Sequence, residues 1–226
     1  MARRPPPDRE TAPVVQRLRL QYAKRGRLRF SSARDFQRAL ERALRRAQIP
    51  MAYSAGFSPH PKVSYANAAP TGVASEAEYV ELGVAHACDP EAVREALDSA
   101  LPPGLDIVDA VEARTPDFAN RLEASIWRVE LPGVALPEAD EAVRALLAAD
   151  EVPVDRMTKN GLRTFDARGA VITAVCEADA GDPRADGPAS DPGIADCAIQ
   201  LNHAHIMGWA DSIIGQILRC IFVCCV

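Results

Sequence analysis

Apolar and polar residues alternate near the start of the chain. Residues 17–22 read Arg-Leu-Arg-Leu-Gln-Tyr, a period of two that is typical of a β-strand. A turn is predicted at 24–26, and Leu28 and Phe30 continue the extended pattern beyond it. Residues 1–15 are rich in proline and charge, so we expect a disordered lead-in before the first strand.

The pattern then changes to a helical period. Beginning at Phe36, apolar residues recur three, four, seven, eight and eleven positions later, which places them on one face of a helix. Ser32 is suited to the N-cap, Asp35 is suited to its capping-box partner, and Pro50 ends the segment. The sequence therefore predicts an amphipathic helix. Its other face carries Arg34, Arg38, Arg42, Arg45 and Arg46.

Three more strands and one more helix are predicted in the next part of the chain. The strands fall at 63–67, 78–84 and 105–111. Asp89 followed by Pro90 is a strong helix start, because Asp caps the first turn and Pro fits its first position. The resulting order, β-α-β-β-α-β, is the split βαβ arrangement of ferredoxin-like domains. It predicts such a domain over residues 16–113.

A partial repeat of that order follows. Strands are predicted at 122–131, 152–158, 162–166 and 170–176, with a helix at 137–149 and a hairpin turn at Asn160-Gly161. We therefore predict a second, partial ferredoxin-like domain over 121–177. The predicted fold class is α+β, with tandem ferredoxin-like units and antiparallel sheets. A flexible acidic linker is predicted at 178–193, and an atypical Cys/His-bearing tail at 194–226.

Charge is distributed unevenly along this pattern. Residues 1–62 carry 15 Lys/Arg and 4 Asp/Glu, a net charge of +11, whereas residues 63–226 carry 11 and 27, a net charge of −16. A basic lobe beside an acidic remainder favours a polyanion or an acidic protein as the partner of the first part. The alternative is a solvated charged surface without a partner.

The sequence shows no export signal. Its charged, proline-rich start lacks an apolar signal core, and no window reaches the roughly 18 apolar residues of a membrane span. We therefore expect a cytoplasmic protein with no membrane partner. In that compartment the cysteines are expected to be reduced thiols: Cys88, Cys176, Cys197, Cys220, Cys224 and Cys225.

The spacings that common catalytic and metal sites need are missing. The Cys-x3-Cys-x2-Cys motif of radical S-adenosylmethionine enzymes is incomplete, because Cys220-x3-Cys224 lacks a third ligand. Cys197, His203 and His205 do not complete the four ligands of a structural zinc site. No Gly-x-Ser-x-Gly elbow, dinucleotide-binding turn or Walker loop occurs. We expect no metal, cofactor or catalytic residue in this chain.

A loop of unusual composition follows the cationic helix. This His-Pro loop, residues 53–62, places His60 between two prolines and Lys62 beside it. Guanidinium groups bind phosphate through paired hydrogen bonds, and aromatic rings stack on the exposed bases of single-stranded RNA. Tyr53 and Phe57 are candidates for that stacking, with core packing as the alternative. The predicted RNA- or partner-binding residues are Arg38, Arg42, Arg45, Arg46, Tyr53, Ser54, Gly56, Phe57, His60 and Lys62.

The same stretch carries a family resemblance. The chain resembles the radical-SAM-associated family of unknown function over about residues 17–176, most clearly at 27–30, at 41–47 (Glu-Arg-Ala-Leu-Arg-Arg-Ala), at 50–64 with its Ser-Pro-His-Pro-Lys run, and at 72–79. Members stand alone or form the C-terminal part of a longer radical S-adenosylmethionine protein. The resemblance implies such a protein as the partner, which would carry the S-adenosylmethionine and the iron–sulfur cluster. It also implies a role in RNA or translation-related modification.

The chain departs from the family pattern after about Ile199. Members end in a strand and a charged helix, whereas this tail is rich in His and Cys and its residues 212–226 are a predicted apolar helix. Our hypothesis for this abrupt change is a frameshift in the coding sequence.

Three functions are compatible with these features. We expect first a non-catalytic accessory or binding module that uses the arginine helix and the His-Pro loop. The first alternative is an RNA-processing enzyme with His60 as general acid/base and Lys62 as electrostatic stabiliser. The second alternative is a protein-interaction scaffold whose basic lobe docks an acidic partner.

Overall fold

The computed structural model describes residues 11–66, 68–158, 160–178 and 195–202. The chain divides into two compact units, Met1–Arg121 and Leu122–Val226. Each unit has its own cluster of buried apolar residues. Within the described residues, no helix is long and apolar enough to cross a membrane.

The first unit has its elements in the order that the sequence predicts. They are β1 (Gln16–Lys24), α1 (Ala33–Arg46), β2 (Val63–Ala66), β3 (Ser75–Val84), α2 (Pro90–Ala100) and β4 (Leu105–Glu112). The strands form one antiparallel sheet in the order β2-β3-β1-β4. This arrangement is that of a split βαβ fold, so the predicted ferredoxin-like unit is confirmed.

One face of this sheet and both helices enclose the first core. Leu18 and Leu20 of β1 are fully buried, because alternate residues of a strand point to the same face. Phe36 and Leu40 of α1 belong to the same cluster, and Tyr22 stacks on Phe36 with ring centroids 3.8 Å apart. Each such side chain gains about 1.5–3 kcal/mol on burial. This buried stripe turns the arginine-bearing face of α1 towards solvent.

The segment after β1 differs from the prediction. Residues Gly26–Phe30 form a 3-10 helix, and not the extended run that their alternation indicated. The start of this segment is held by the turn at Gly104, which is distant in the sequence. The Arg25 N–H donates to the Gly104 carbonyl at 2.8 Å, and a Cβ at Gly104 would lie 3.0 Å from the Arg25 carbonyl oxygen. Only glycine fits this approach without displacing the backbone.

The second unit is built around a three-stranded sheet. Its elements are β5 (Ala124–Leu131), α3 (Leu136–Ala148), β6 (Pro153–Thr158), β7 (Gly161–Asp166), β8 (Val171–Ala178) and β9 (Ala195–Asn202). The main sheet has the order β5-β9-β8, and β6 and β7 form a separate hairpin, all with antiparallel pairing. Strands β5, β8 and β9 with α3 therefore form a β-α-β-β pattern with the hairpin inserted before β8. The predicted α+β class with ferredoxin-like units is confirmed.

Strand β9 lies in the stretch that the sequence assigned to an atypical tail from residue 194 onward. It pairs with β5 on one side and β8 on the other, so it is the central strand of this sheet. Ile199 and Leu201 are fully buried in the second core. The predicted linker beyond Ala178, and the tail beyond Asn202 with its expected helix at 212–226, lie outside the described residues.

Two cysteines that were predicted to be reduced thiols are joined. Cys176 of β8 and Cys197 of β9 are register partners with Cα atoms 4.2 Å apart, and their sulfur atoms form a disulfide. The prediction of free thiols is wrong here because it rested on compartment, whereas strand pairing brings the two side chains together. Cys88 is a free, partly buried thiol. The other predicted thiols lie outside the described residues: Cys220, Cys224 and Cys225.

Candidate functional site

Two hydrogen bonds fix the start of the arginine-bearing helix α1. The N–H of Asp35 donates to Oγ of Ser32 at 3.2 Å, and the N–H of Ser32 donates to Oδ2 of Asp35 at 3.1 Å. The predicted capping box is therefore confirmed. Hydrogen bonds from Ser32, and then the charges of Arg38 and Arg34, lower the pKa of Asp35. The ionised carboxylate is favourable there because the helix N-terminus is positive.

The solvent face of α1 carries positive charge that is not paired. Phe36, Leu40 and Leu44 are buried on the opposite side of the helix. Four of the five arginines repeat every fourth residue, so their Cα atoms follow one another at about 6 Å along the helix axis. None of the five forms an ion pair with another described residue. We call this exposed set the arginine face: Arg34, Arg38, Arg42, Arg45 and Arg46.

Arginines on the sheet of the same unit are paired with carboxylates. Arg17 and Arg19 each contact the buried carboxylate of Glu81 at 3.0 Å. Arg25 bridges two further carboxylates at 2.7 and 2.8 Å. The sheet charges are thus neutralised within the fold, whereas the charge of the arginine face is open to an anionic ligand.

Arg46 also has a structural role. Its Nη1 donates to the carbonyl of Ala100, the last residue of α2, at 2.9 Å. A cation is favourable at this position because the last carbonyls of a helix lack partners and its C-terminus is negative. A groove of about 220 Å³ lies at the junction of the two helices. It is lined by Ala39, Arg42, Arg46, Ala100, Leu101 and Pro102.

The His-Pro loop is closed at its base. Tyr53 and Pro61 form an antiparallel bridge. The N–H of Ser54 donates to the His60 carbonyl at 2.9 Å, and the N–H of His60 donates to Oγ of Ser54 at 3.0 Å. Gly56 has a φ of 134°, which other residues rarely adopt. Two of the predicted binding residues, Ser54 and Gly56, therefore shape the loop.

The base of the loop is attached to both the helix and the sheet. The N–H of Ile49 donates to the Leu44 carbonyl, in the last turn of α1, at 3.0 Å. The N–H of Ala52 donates to the Gly83 carbonyl, at the end of β3, at 2.8 Å. These bonds hold the loop at the C-terminal end of α1.

The loop presents an aromatic and charged surface to solvent. Phe57 is 59% exposed and Tyr53 is 39% exposed, so the alternative that these rings fill the core is wrong. His60 and Lys62 are exposed as well. Among the described residues, no side chain forms a hydrogen bond or an ion pair with the His60 imidazole.

The structure places the predicted residues in one unit but not in one pocket. Arg42 and Arg46 share the groove beside α2, whereas no residue of the His-Pro loop lines it. In the described part of the chain, no three His, Cys, Asp or Glu side chains lie close enough together to hold a metal ion. The candidate site is therefore exposed to solvent and consists of the arginine face of α1 and the aromatic residues of the His-Pro loop.

Three buried charged residues of the first unit, Lys24, Glu78 and Glu81, were not singled out in the sequence, and Lys24 and Glu78 bind the same segment. Nζ of Lys24 donates to the carbonyls of Ala69 and Pro70, both at 3.0 Å. Oε2 of Glu78 accepts the Ala69 N–H at 2.9 Å. The pair anchors the segment between β2 and β3. Glu78 was detectable in principle, because it shares the strand face of apolar Val80.

The fold and this surface define an α+β protein of two ferredoxin-like units that exposes a cationic helix and a closed aromatic loop. The chain belongs to the family described as "Uncharacterized protein conserved in bacteria" (DUF2344), whose sequence pattern matches residues 17–199. That match begins in β1 and ends within β9, so it covers elements of both units. No curated protein matches the chain.

Proposed function

We propose that this protein is a non-catalytic binding module that holds RNA on the arginine face. The observation that carries the proposal is the contrast in charge pairing within the first unit. Glu81 forms ion pairs with Arg17 and Arg19 on the sheet, whereas the arginine face has no ion pair among the described residues. Guanidinium groups bind phosphate through paired, charge-assisted hydrogen bonds. A row of them suits a chain of phosphates better than it suits a single anion.

The surface favours recognition of the nucleic-acid backbone. Contacts from arginine to phosphate position a nucleic acid but carry no sequence information of their own. One class of RNA-binding domain stacks RNA bases on the open face of a four-stranded sheet. In this protein the ion pairs of Glu81 with Arg17 and Arg19 occupy that face. Binding through the arginine face releases counterions, so the affinity falls as salt rises.

In this proposal, any chemistry on the RNA belongs to a partner. The resemblance to radical-SAM-associated proteins supports a radical S-adenosylmethionine protein in that role, with S-adenosylmethionine and the iron–sulfur cluster bound by the partner. The arginine face holds the RNA while the partner modifies it.

The direct test is RNA binding by the full chain with Arg38, Arg42 and Arg45 replaced by Gln. We expect the affinity for a short RNA to fall about tenfold or more at about 0.1 M salt. The slope of log affinity against log salt should become less steep by about two, because three phosphate contacts are lost. Arg46 is kept because it supports the end of α2.

A matched control separates the arginine face from net charge. It replaces three exposed arginines of the first unit that lie outside α1, namely Arg27, Arg114 and Arg121, with Gln. This variant loses the same charge and should keep most of the affinity. Equal losses in both variants, or wild-type binding by the α1 variant, would contradict the proposal. RNA cleavage that His60→Ala abolishes would establish the enzyme alternative instead.

A further inference from the structure

We infer that the RNA held by this protein is single-stranded, with an unpaired base stacked on the ring of Phe57. The inference rests on the proposed function and adds the class of nucleic acid to it. Its starting point is a comparison of two phenylalanines that are both 59% exposed. The Phe30 ring lies 4.8 Å from the guanidinium carbon of Arg29, whereas Phe57 has no aromatic or cation–π partner among the described residues.

The Phe57 ring is offered on a closed loop. Ser54 and His60 exchange two hydrogen bonds across the base of the loop, at 2.9 and 3.0 Å. Pro59 and Pro61 restrict the backbone on the return side, because the ring of proline fixes φ. A surface that is already ordered loses little conformational entropy when it binds a ligand. The closed loop therefore holds the Phe57 ring in an exposed position.

The surroundings of the ring favour an anionic ligand. Lys62 and His60 are exposed on the same loop. The loop begins seven residues after Arg46, so its base lies within roughly 25 Å of that residue. The bonds from Ile49 and Ala52 fix this arrangement within the first unit. One RNA strand of about ten nucleotides can therefore contact the arginine face and the loop together.

Only an unpaired strand satisfies both parts of this surface. Phosphates of any RNA can meet the arginine face. The flat face of a base, however, is free to stack on an aromatic ring only where the base is not enclosed in a duplex. A hydrophobic pocket on an acidic protein could also bind Phe57, and the experiment distinguishes such a partner from RNA.

The experiment measures the binding of two RNAs, a single-stranded oligouridine of about ten nucleotides and a stable short duplex, to the wild type and to each variant. Phe57→Ala in the full chain should weaken single-strand binding by about five- to a hundredfold. Duplex binding and both salt slopes should not change, because no phosphate contact is lost. Phe30→Ala, which removes an equally exposed ring, should leave both affinities as in the wild type.

A second measurement reports stacking directly. Phe57→Trp should keep the single-strand affinity, and its added emission should be quenched by oligouridine, whereas the emission added by Phe30→Trp should not. Wild-type single-strand binding by Phe57→Ala, or equal losses for both RNAs, would overturn the inference and leave the arginine proposal intact. A wild-type protein that binds neither RNA would instead refute the proposed function. Binding of an acidic protein that depends on Phe57, in a wild-type protein that binds no RNA, would also refute the proposed function.

Discussion

Asp166 shows how one side chain organises a turn in the second unit. Its carboxylate accepts N–H groups from Val152 and Arg168 at 2.9 Å and from Gly169 at 2.8 Å. Burial by itself raises the pKa of Asp166, but the three hydrogen bonds and the charge of Arg168 outweigh it and lower that pKa. The ionised form is therefore the one that the fold stabilises.

Replacement of Asp166 by Asn should destabilise the protein by about 1–3 kcal/mol at neutral pH, because the amide nitrogen cannot accept the N–H that faces it. The pKa is lowered in the folded state, so the carboxylate contributes fully above its unfolded value of about 3.9. This contribution disappears as pH falls through the lower folded value. Thermal unfolding from about pH 7 to about pH 2 should show the two proteins converging. A difference independent of pH would contradict this account.

The arginine face shows how far residue-level prediction from sequence extends. The helical period of the apolar residues placed Arg38, Arg42 and Arg45 on the solvent side, and that side is exposed in the structure. The pairing of other arginines could not be predicted, because Glu81 lies 62 residues from Arg19 in the chain. Binding by these residues stays a prediction until RNA is tested.

At the scale of elements, α1 combines a stable start with a repulsive surface. The capping box of Ser32 and Asp35 and the buried stripe both stabilise the helix. Like charges four residues apart destabilise a helix by about 0.2–0.5 kcal/mol per pair, and the arginine face contains three such pairs from Arg34 to Arg46. This repulsion is relieved when an anion binds.

Arg42→Glu should therefore stabilise the folded protein by about 0.5–1.5 kcal/mol, because its pairs with Arg38 and Arg46 become attractive and no acidic residue lies three or four positions away. The same change should weaken RNA binding. Urea unfolding at low salt measures the gain, which should fade at about 1 M salt as the charges are screened. Arg114→Glu, at an exposed position outside any helix, is the matched control and should give no such gain. Destabilisation by Arg42→Glu would show that the arginines do not repel one another.

Element boundaries followed from periodicity where burial is regular along the chain. The capped helix α1 and the β6–β7 hairpin are examples and both are confirmed, although Gly161, predicted to lie in the turn, is the first residue of β7. The 3-10 helix Gly26–Phe30 was missed because two alternating apolar residues look the same in either conformation. Strand β9 was missed although Ala195, Cys197, Ile199 and Leu201 recur at the period of two that is typical of a strand. Its place in the sheet is a long-range property.

At the scale of the whole molecule, each unit depends on its own core. The first cluster contains residues such as Leu18 and Leu40, and the second contains residues such as Leu146 and Ile199. The disulfide Cys176–Cys197 lies within the second cluster. A change in the disulfide should therefore affect the second unit and leave the first as it is.

Replacement of Cys176 and Cys197 by Ala should lower the stability of the second unit by about 3 kcal/mol, because the unfolded chain gains the freedom of an open loop. Hydrogen exchange resolved by peptide should show faster exchange in β5, β8 and β9. Exchange in β1 and β3 should not change. Cys88→Ala, which removes a free thiol of the first unit, is the control. Faster exchange in both units would contradict their independence.

The same disulfide makes the second unit tolerant of a broken backbone. Cys176 and Cys197 enclose the whole stretch between β8 and β9 in a covalent ring. A protease that cuts once inside this ring leaves both fragments joined through sulfur, with each strand still paired. The nicked chain therefore migrates as one species under oxidising electrophoresis and separates into two only after reduction.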